Sequence, residues 1–232
     1  MTEFNDIGIP RQLDWPRIRR LLAIGVFASL LHLAGDLILG WGVEDENLTG
    51  LSRMLSAYAN TGDGGLLACA LLGLFGMTLE GLSLFGVYRL LAVRAPRDAH
   101  SYRSGILGYL IFGACGFHVP TCAMVFLLRQ GLPEEALGRF GAYFLLPATA
   151  LFWVFFLVLT VVQLRAFAKG RTPYPRWCWV FSPLVGGLAA QLAGFPGNLP
   201  ALNAIACAWL AVGDLWMFGG LLCLARRAEA EA

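Results

Sequence analysis

The sequence predicts an all-α, polytopic membrane protein, a six-transmembrane-helix bundle forming one integral domain over residues 1–232. Three observations predict it. The chain is 58% hydrophobic and only 14% charged, whereas about a quarter of the residues in soluble domains are charged. The apolar residues gather into runs long enough to cross a hydrocarbon core of about 30 Å at about 1.5 Å of rise per residue. The basic residues fall in the gaps between these runs, and mostly in alternate gaps. With a net charge of +2 and no basic patch, nothing calls for a nucleic-acid partner.

The leader, residues 1–20, is too polar for a signal peptide. Within it, Asp14-Trp15-Pro16 reads as a helix start, an N-cap residue with proline in the first turn. The first span, 21–42, ends beside Trp41, a side chain suited to the membrane interface. A polar stretch with Glu44, Asp45 and Glu46 comes next, and Leu51 to Tyr58 within it predicts a short surface helix. Asp63 is placed to cap the second span, 64–88, which contains Glu80. A basic loop with Arg89, Arg94, Arg97 and Arg103 leads to the third span, 104–128, which holds His118 and a kink expected at Pro120. The fourth span, 140–164, carries an uncharged aromatic run, Phe152 to Phe156, that would face lipid or pack round an apolar ligand. A second basic loop precedes a short fifth span, 177–195. The turn Pro196-Gly197-Asn198-Leu199-Pro200 then opens the sixth, 201–225, which Arg226 and Arg227 close.

Of the 17 Lys and Arg residues, all but Arg53, Arg129 and Arg139 lie in the leader, the second and fourth loops and the tail. By the positive-inside rule this puts both termini in the cytoplasm, in a multi-pass protein of the cytoplasmic (inner) membrane with membrane lipids as its partners. The six cysteines all fall inside apolar runs, where they act as small apolar side chains rather than as a disulfide framework.

Against this apolar background stand five ionisable residues: His32, Asp36, Glu80, His118 and Asp214. A charged side chain at the centre of a membrane helix costs about 2.5–3.5 kcal/mol, so such groups turn inward and find partners. His32 and Asp36 are four residues apart and share one helix face. Measured along straight helices, Asp36 lies about 8 Å below the outer end of its span, His32 about 14 Å, His118 about 16 Å, Asp214 about 21 Å and Glu80 about 24 Å. Singly, each could be bonded to its own backbone. Together they exceed what packing needs and predict a polar pocket open to the outside or to the outer leaflet. Asn198 and Asn203, nearer the outer surface, are its candidate substrate-binding residues. His32, His118 and Asp214 are expected within about 10 Å of one another, a distance that one small ligand or two waters would bridge.

Such a set suits proton handling. A desolvated Glu80 or Asp214 would serve as the acid, while His32, paired with Asp36, would carry the proton between water and the deeper site. No cofactor is predicted. A divalent metal, if one binds, would draw on His32, Asp36, His118 and Asp214, which come from three helices. The spacing Cys115-x2-His118-x3-Cys122 matches no standard zinc pattern.

The pieces HLAGDLILGW, the glycine-rich second span ending GVYRL, GFHVP, and PYPRWCWVFSPL before FPGNLP resemble a family of bacterial membrane proteins designated a domain of unknown function. The resemblance covers most of the chain and implies no activity. The chain is also similar in size to membrane-integral terpene cyclases, which use a Glu and an Asp on separate helices to protonate an isoprenoid. That likeness, of disposition alone, implies those roles for Glu80 and Asp214. Three functions therefore fit the sequence. The first is a membrane enzyme doing acid–base chemistry on a lipidic or isoprenoid substrate. The second is a proton-coupled transporter of a small or lipophilic molecule, against which the absence of a visible inverted repeat counts. The third is a structural or sensory protein without turnover.

Overall fold

Helices account for most of the described residues, 12–58, 61–194 and 199–231 of a computed structural model, and no strand occurs among them. The first helix, α1 (Trp15–Leu39), is capped by Asp14, whose carboxylate accepts from the Arg17 backbone N–H at 3.1 Å, with Pro16 in the first turn. Its buried positions Ile18, Leu22, Gly25, Ser29, His32, Asp36 and Leu39 recur in steps of three and four, which makes one continuous inner stripe. The other face exposes Ile24, Phe27 and Leu30. A helix with its polar groups inside and its large apolar side chains outside is built for lipid rather than water.

The remaining helices are α2 (Gly50–Ser56), α3 (Asp63–Ser83), α4 (Phe85–Arg94), α5 (Pro96–Phe112), α6 (Val119–Arg129), α7 (Glu134–Phe140), α8 (Leu146–Ala168), α9 (Pro183–Gly194), α10 (Pro200–Cys207) and α11 (Trp209–Ala230). Five stretches are long and apolar enough to cross a membrane: α1, Asp63–Arg94, Pro96–Arg129, Glu134–Ala168 and α11.

Several boundaries differ from those expected. The fifth apolar run is a 3-10 turn, Arg176–Val180, succeeded by the 12-residue α9. Pro183 opens α9, and its missing N–H prevents the helix from extending backward. The basic loop expected between the second and third spans shrinks to one residue, Ala95, at φ −146° and ψ 65°. A residue before proline is driven out of the helical region, and Pro96 then starts α5 at once, so Arg89, Arg94, Arg97 and Arg103 all lie on helices. Asp63 is not a cap. Gly62 takes that position, and the Asp63 carboxylate instead pairs with Arg129 at 2.8 Å, tying the start of α3 to the end of α6. The irregularity expected at Pro120 comes just before it. Residues Ala114–His118 form a π turn, in which the His118 N–H reaches back five residues to the Gly113 carbonyl at 3.0 Å. A second π turn, Gly141–Leu145, joins α7 to α8. The aromatic run of α8 divides. Phe152 and Phe156 are buried in the core, Val154 is exposed, and the Trp153 ring stacks on Trp209 at 5.2 Å.

The first and last helices are paired at both ends. An ion pair joins Arg19 to Glu229. At the other end the Asn203 amide donates to the carbonyls of Gly40, at 3.2 Å, and Gly42, at 2.7 Å. The α10–α11 segment therefore runs antiparallel along α1. A break at Ala208 (φ −80°, ψ 16°) separates its two parts and turns Cys207 and Trp209 toward the same cavity.

Candidate functional site

Four helical segments bring the ionisable residues together. The inner stripe of α1 supplies His32 and Asp36, α3 supplies Glu80, the π turn supplies His118 and α11 supplies Asp214. All five are buried. Close approach is possible because α3 presents glycines where its neighbours press hardest. A Cβ at Gly73 would stand 2.0 Å from the His118 ring, and one at Gly76 would stand 2.8 Å from the His32 backbone nitrogen.

The contacts form one chain. The Asp36 carboxylate bridges the two imidazoles, with Oδ2 at 3.3 Å from His32 Nε2 and Oδ1 at 3.5 Å from His118 Nδ1. The two rings meet edge to face, with centroids 5.5 Å apart. The other nitrogen of His32, Nδ1, lies 3.0 Å from Glu80 Oε2. That same oxygen accepts from the Tyr109 hydroxyl at 2.9 Å, and the hydroxyl lies 2.8 Å from Asp214 Oδ2. The bonded chain Asp36–His32–Glu80–Tyr109–Asp214 ends at Asp214 among the described residues.

Hydrogen-bond accounting fixes something about its protons. A phenol has one hydrogen to give, yet Tyr109 sits at bonding distance from two carboxyl groups. One of them must therefore donate to the phenolic oxygen, so Glu80 and Asp214 together hold at least one proton. Substituting Tyr109→Phe removes the shared partner and is expected to destabilise the protein by about 1–3 kcal/mol, the range for leaving buried polar atoms unpaired. Thermal unfolding in detergent measures it. An unchanged midpoint would show that the hydroxyl is not shared.

Beside this chain lies a cavity of about 360 Å³, lined on its polar side by His32, Asp36 and His118 and on its apolar side by Phe117, Trp209 and Leu210. It extends toward Tyr58 and Asn203, at the end of the bundle where α1 finishes. Glu80, Tyr109 and Asp214 do not line it. They lie behind His32, sealed from the cavity. Asn203 lines the cavity but commits its amide to the α1 terminus, and Asn198 falls outside the described residues.

Two triplets could hold a metal ion, each with its ligand atoms within 4.8 Å of one another: His32, Asp36 and His118, and separately Cys69, His118 and Cys122. Asp214 is not in the first, because Glu80 and Tyr109 intervene. Cys115 is not in the second, because it is exposed. Cys69 from α3 takes that place, with its sulfur 3.5 Å from Cys122 Sγ.

Sequence reasoning missed Tyr109 and Cys69. With the third span expected to begin at Ser104, Tyr109 falls near its end, where a tyrosine is an ordinary interfacial residue. The observed helical segment runs from Pro96, and this moves Tyr109 to its interior. A hydroxyl that deep needs a partner, and that was the available signal. Cys69 gives no signal of its own, since only the fold sets it opposite His118.

A family model with the description "Family of unknown function (DUF6796)" matches residues 4–228. No curated protein and no solved structure matches the chain.

Proposed function

Because the chain belongs to this family of unknown function, we propose an activity from the pocket alone: acid–base catalysis on a lipophilic substrate within the membrane. The observation that carries this reading is a cavity with two imidazoles and a carboxylate on one wall, backed by a closed proton store. Asp36, exposed to the cavity, gives its proton to the substrate. His32 Nε2–H replaces it, and His32 Nδ1 is recharged in turn from Glu80. Tyr109 and Asp214 supply the proton that Glu80 has given up. Run backward, the same steps remove a proton. The apolar wall, Phe117, Trp209 and Leu210, would receive the hydrocarbon part of the substrate. Glu80, Tyr109 and Asp214 lie behind His32, off the cavity, a placement that suits proton storage for one pocket and so favours an enzyme over a proton-coupled transporter.

In this reading the chain crosses the cytoplasmic membrane six times with both termini in the cytoplasm. The 3-10 turn and α9 make the fifth crossing, and the cavity faces the outer leaflet. The Arg-rich end of the bundle, where Arg19 meets Glu229, then lies inside.

The test uses purified protein with a total membrane lipid extract, compared by lipid mass spectrometry with the near-isosteric Asp36→Asn. One lipid species should convert with the wild type, and at least about a hundredfold more slowly with the variant, the scale of a general acid or base. The same protein in vesicles enclosing a pH-sensitive dye should move no protons down an imposed gradient. Proton movement, or no lipid change in any extract, would overturn the enzyme reading.

A further inference from the structure

The second metal-capable triplet lies outside the proton chain and meets it only where His118 faces Asp36. Cys69 on α3 and Cys122 on α6 are both buried, and their sulfurs are 3.5 Å apart. His118 Nε2 is 3.6 Å from Cys69 Sγ, and all three ligand atoms lie within 4.8 Å. The sulfur–sulfur and Nε2–Cys69 separations match two edges of a coordination polyhedron. Zinc–sulfur bonds of about 2.3 Å at tetrahedral angles separate two sulfurs by about 3.8 Å, and a zinc-bound nitrogen from a sulfur by about 3.6 Å. The other nitrogen of the same ring, Nδ1, faces Asp36 Oδ1 at 3.5 Å. This is the carboxylate–histidine–metal order that fixes a ligating imidazole.

We propose that Cys69, His118 and Cys122 form a zinc site, with Asp36 orienting His118. Charge selects the ion. Two thiolates and a neutral imidazole neutralise a divalent cation, as a membrane interior requires, whereas Cu(I) would leave a buried negative charge. Binding releases the two thiol protons. Without the ion, Nε2 is a donor to the Cys69 carbonyl, 3.1 Å away, and the metal replaces that bond. The site clamps α3 to α6 and holds His118 in the cavity wall. It does not depend on which substrate the cavity takes, or on whether it takes one.

Protein purified under reducing conditions without chelator should contain close to one zinc per chain by plasma mass spectrometry. Stripped and reloaded with Co(II), it should show thiolate-to-cobalt absorption in the near ultraviolet. The His32–Asp36–His118 triplet has no sulfur and cannot give that band. Cys69→Ser and Cys122→Ser should each abolish it, while Cys115→Ser and Cys223→Ser, at exposed positions, should leave it intact. Asp36→Asn should weaken zinc about 10–100-fold while keeping all three ligands. If the cysteine variants do not fold, the wild-type cobalt spectrum decides. Monodisperse protein without that band, copper in place of zinc, or a Cys69–Cys122 disulfide in the intact mass would overturn the proposal.

Discussion

Glu80→Ala should destabilise the bundle by about 3–5 kcal/mol, the cavity left by the lost side chain together with two buried hydrogen-bonding partners left unpaired. Glu80 is fully buried, and its Oε2 faces both His32 Nδ1 and the Tyr109 hydroxyl. Alanine leaves both partners facing a hole, in a medium where neither can find water. The Asp214 carboxyl would keep Tyr109, but His32 would have only Asp36. Glu80→Gln keeps the shape and one acceptor while losing the titratable proton, so it should cost less stability and yet stop proton delivery to His32. Unfolding midpoints of the three proteins in one detergent measure the order. A loss of under about 1 kcal/mol for alanine would show that Glu80 is not the keystone of the chain.

The second large effect is expected away from the ionisable groups. Where α9 lies against α11, the backbones touch: a Cβ at Gly213 would stand 2.2 Å from the Pro183 carbonyl oxygen and 3.2 Å from the Gly187 nitrogen. These are backbone atoms, and no rotamer change relieves the clash. Gly213→Ala should therefore cost about 1–3 kcal/mol, toward the upper end of that range, by prying the short helix off the long one. Because Asp214 is the next residue, the lever also moves the end of the proton chain. Gly219→Ala on the same helix is the control. Nothing lies within 4 Å of its added methyl, and alanine is the better helix former, so it should be neutral or mildly stabilising. Equal midpoints for the two variants would mean that the α9 contact contributes nothing.

How much of the fold and the site was legible in the sequence depends on which physical rule applies. The helical class and the long apolar segments come from composition and run length, which the bilayer dictates directly. The pairing of His32 with Asp36 comes from helical spacing. The position of Glu80 was not legible. Counting residues put its Cα about 10 Å deeper than that of His32, the deepest of the five, too far for the direct contact that the structure shows. The two helices run antiparallel, however, and side chains on a helix lean toward its N-terminus. His32 leans down α1 and Glu80 leans up α3, and the gap closes to a 3.0 Å contact. Depth counted on Cα atoms is blind to that lean. The turn at Ala95 was hidden for another reason, since four arginines in fifteen residues read as solvent loop, while proline-directed geometry needs only one residue to reverse the chain.

The π turn at Ala114–His118 gives α6 a particular inheritance. A wide turn holds one residue more than the α-helix it interrupts, and each residue rotates the helix beyond it by about 100°. The phase of every later side chain on α6, Cys122 and Val125 among them, is thus set by a single residue of length. A lineage that lost one codon between Gly113 and Val119 would keep an unbroken helix and a span of nearly the same hydropathy and reach. Yet it would swing His118 off Asp36 and Cys122 off Cys69 in one step. Substitutions wear such a site down by degrees, but here a change of length too small to disturb the hydropathy of the span would erase it at once.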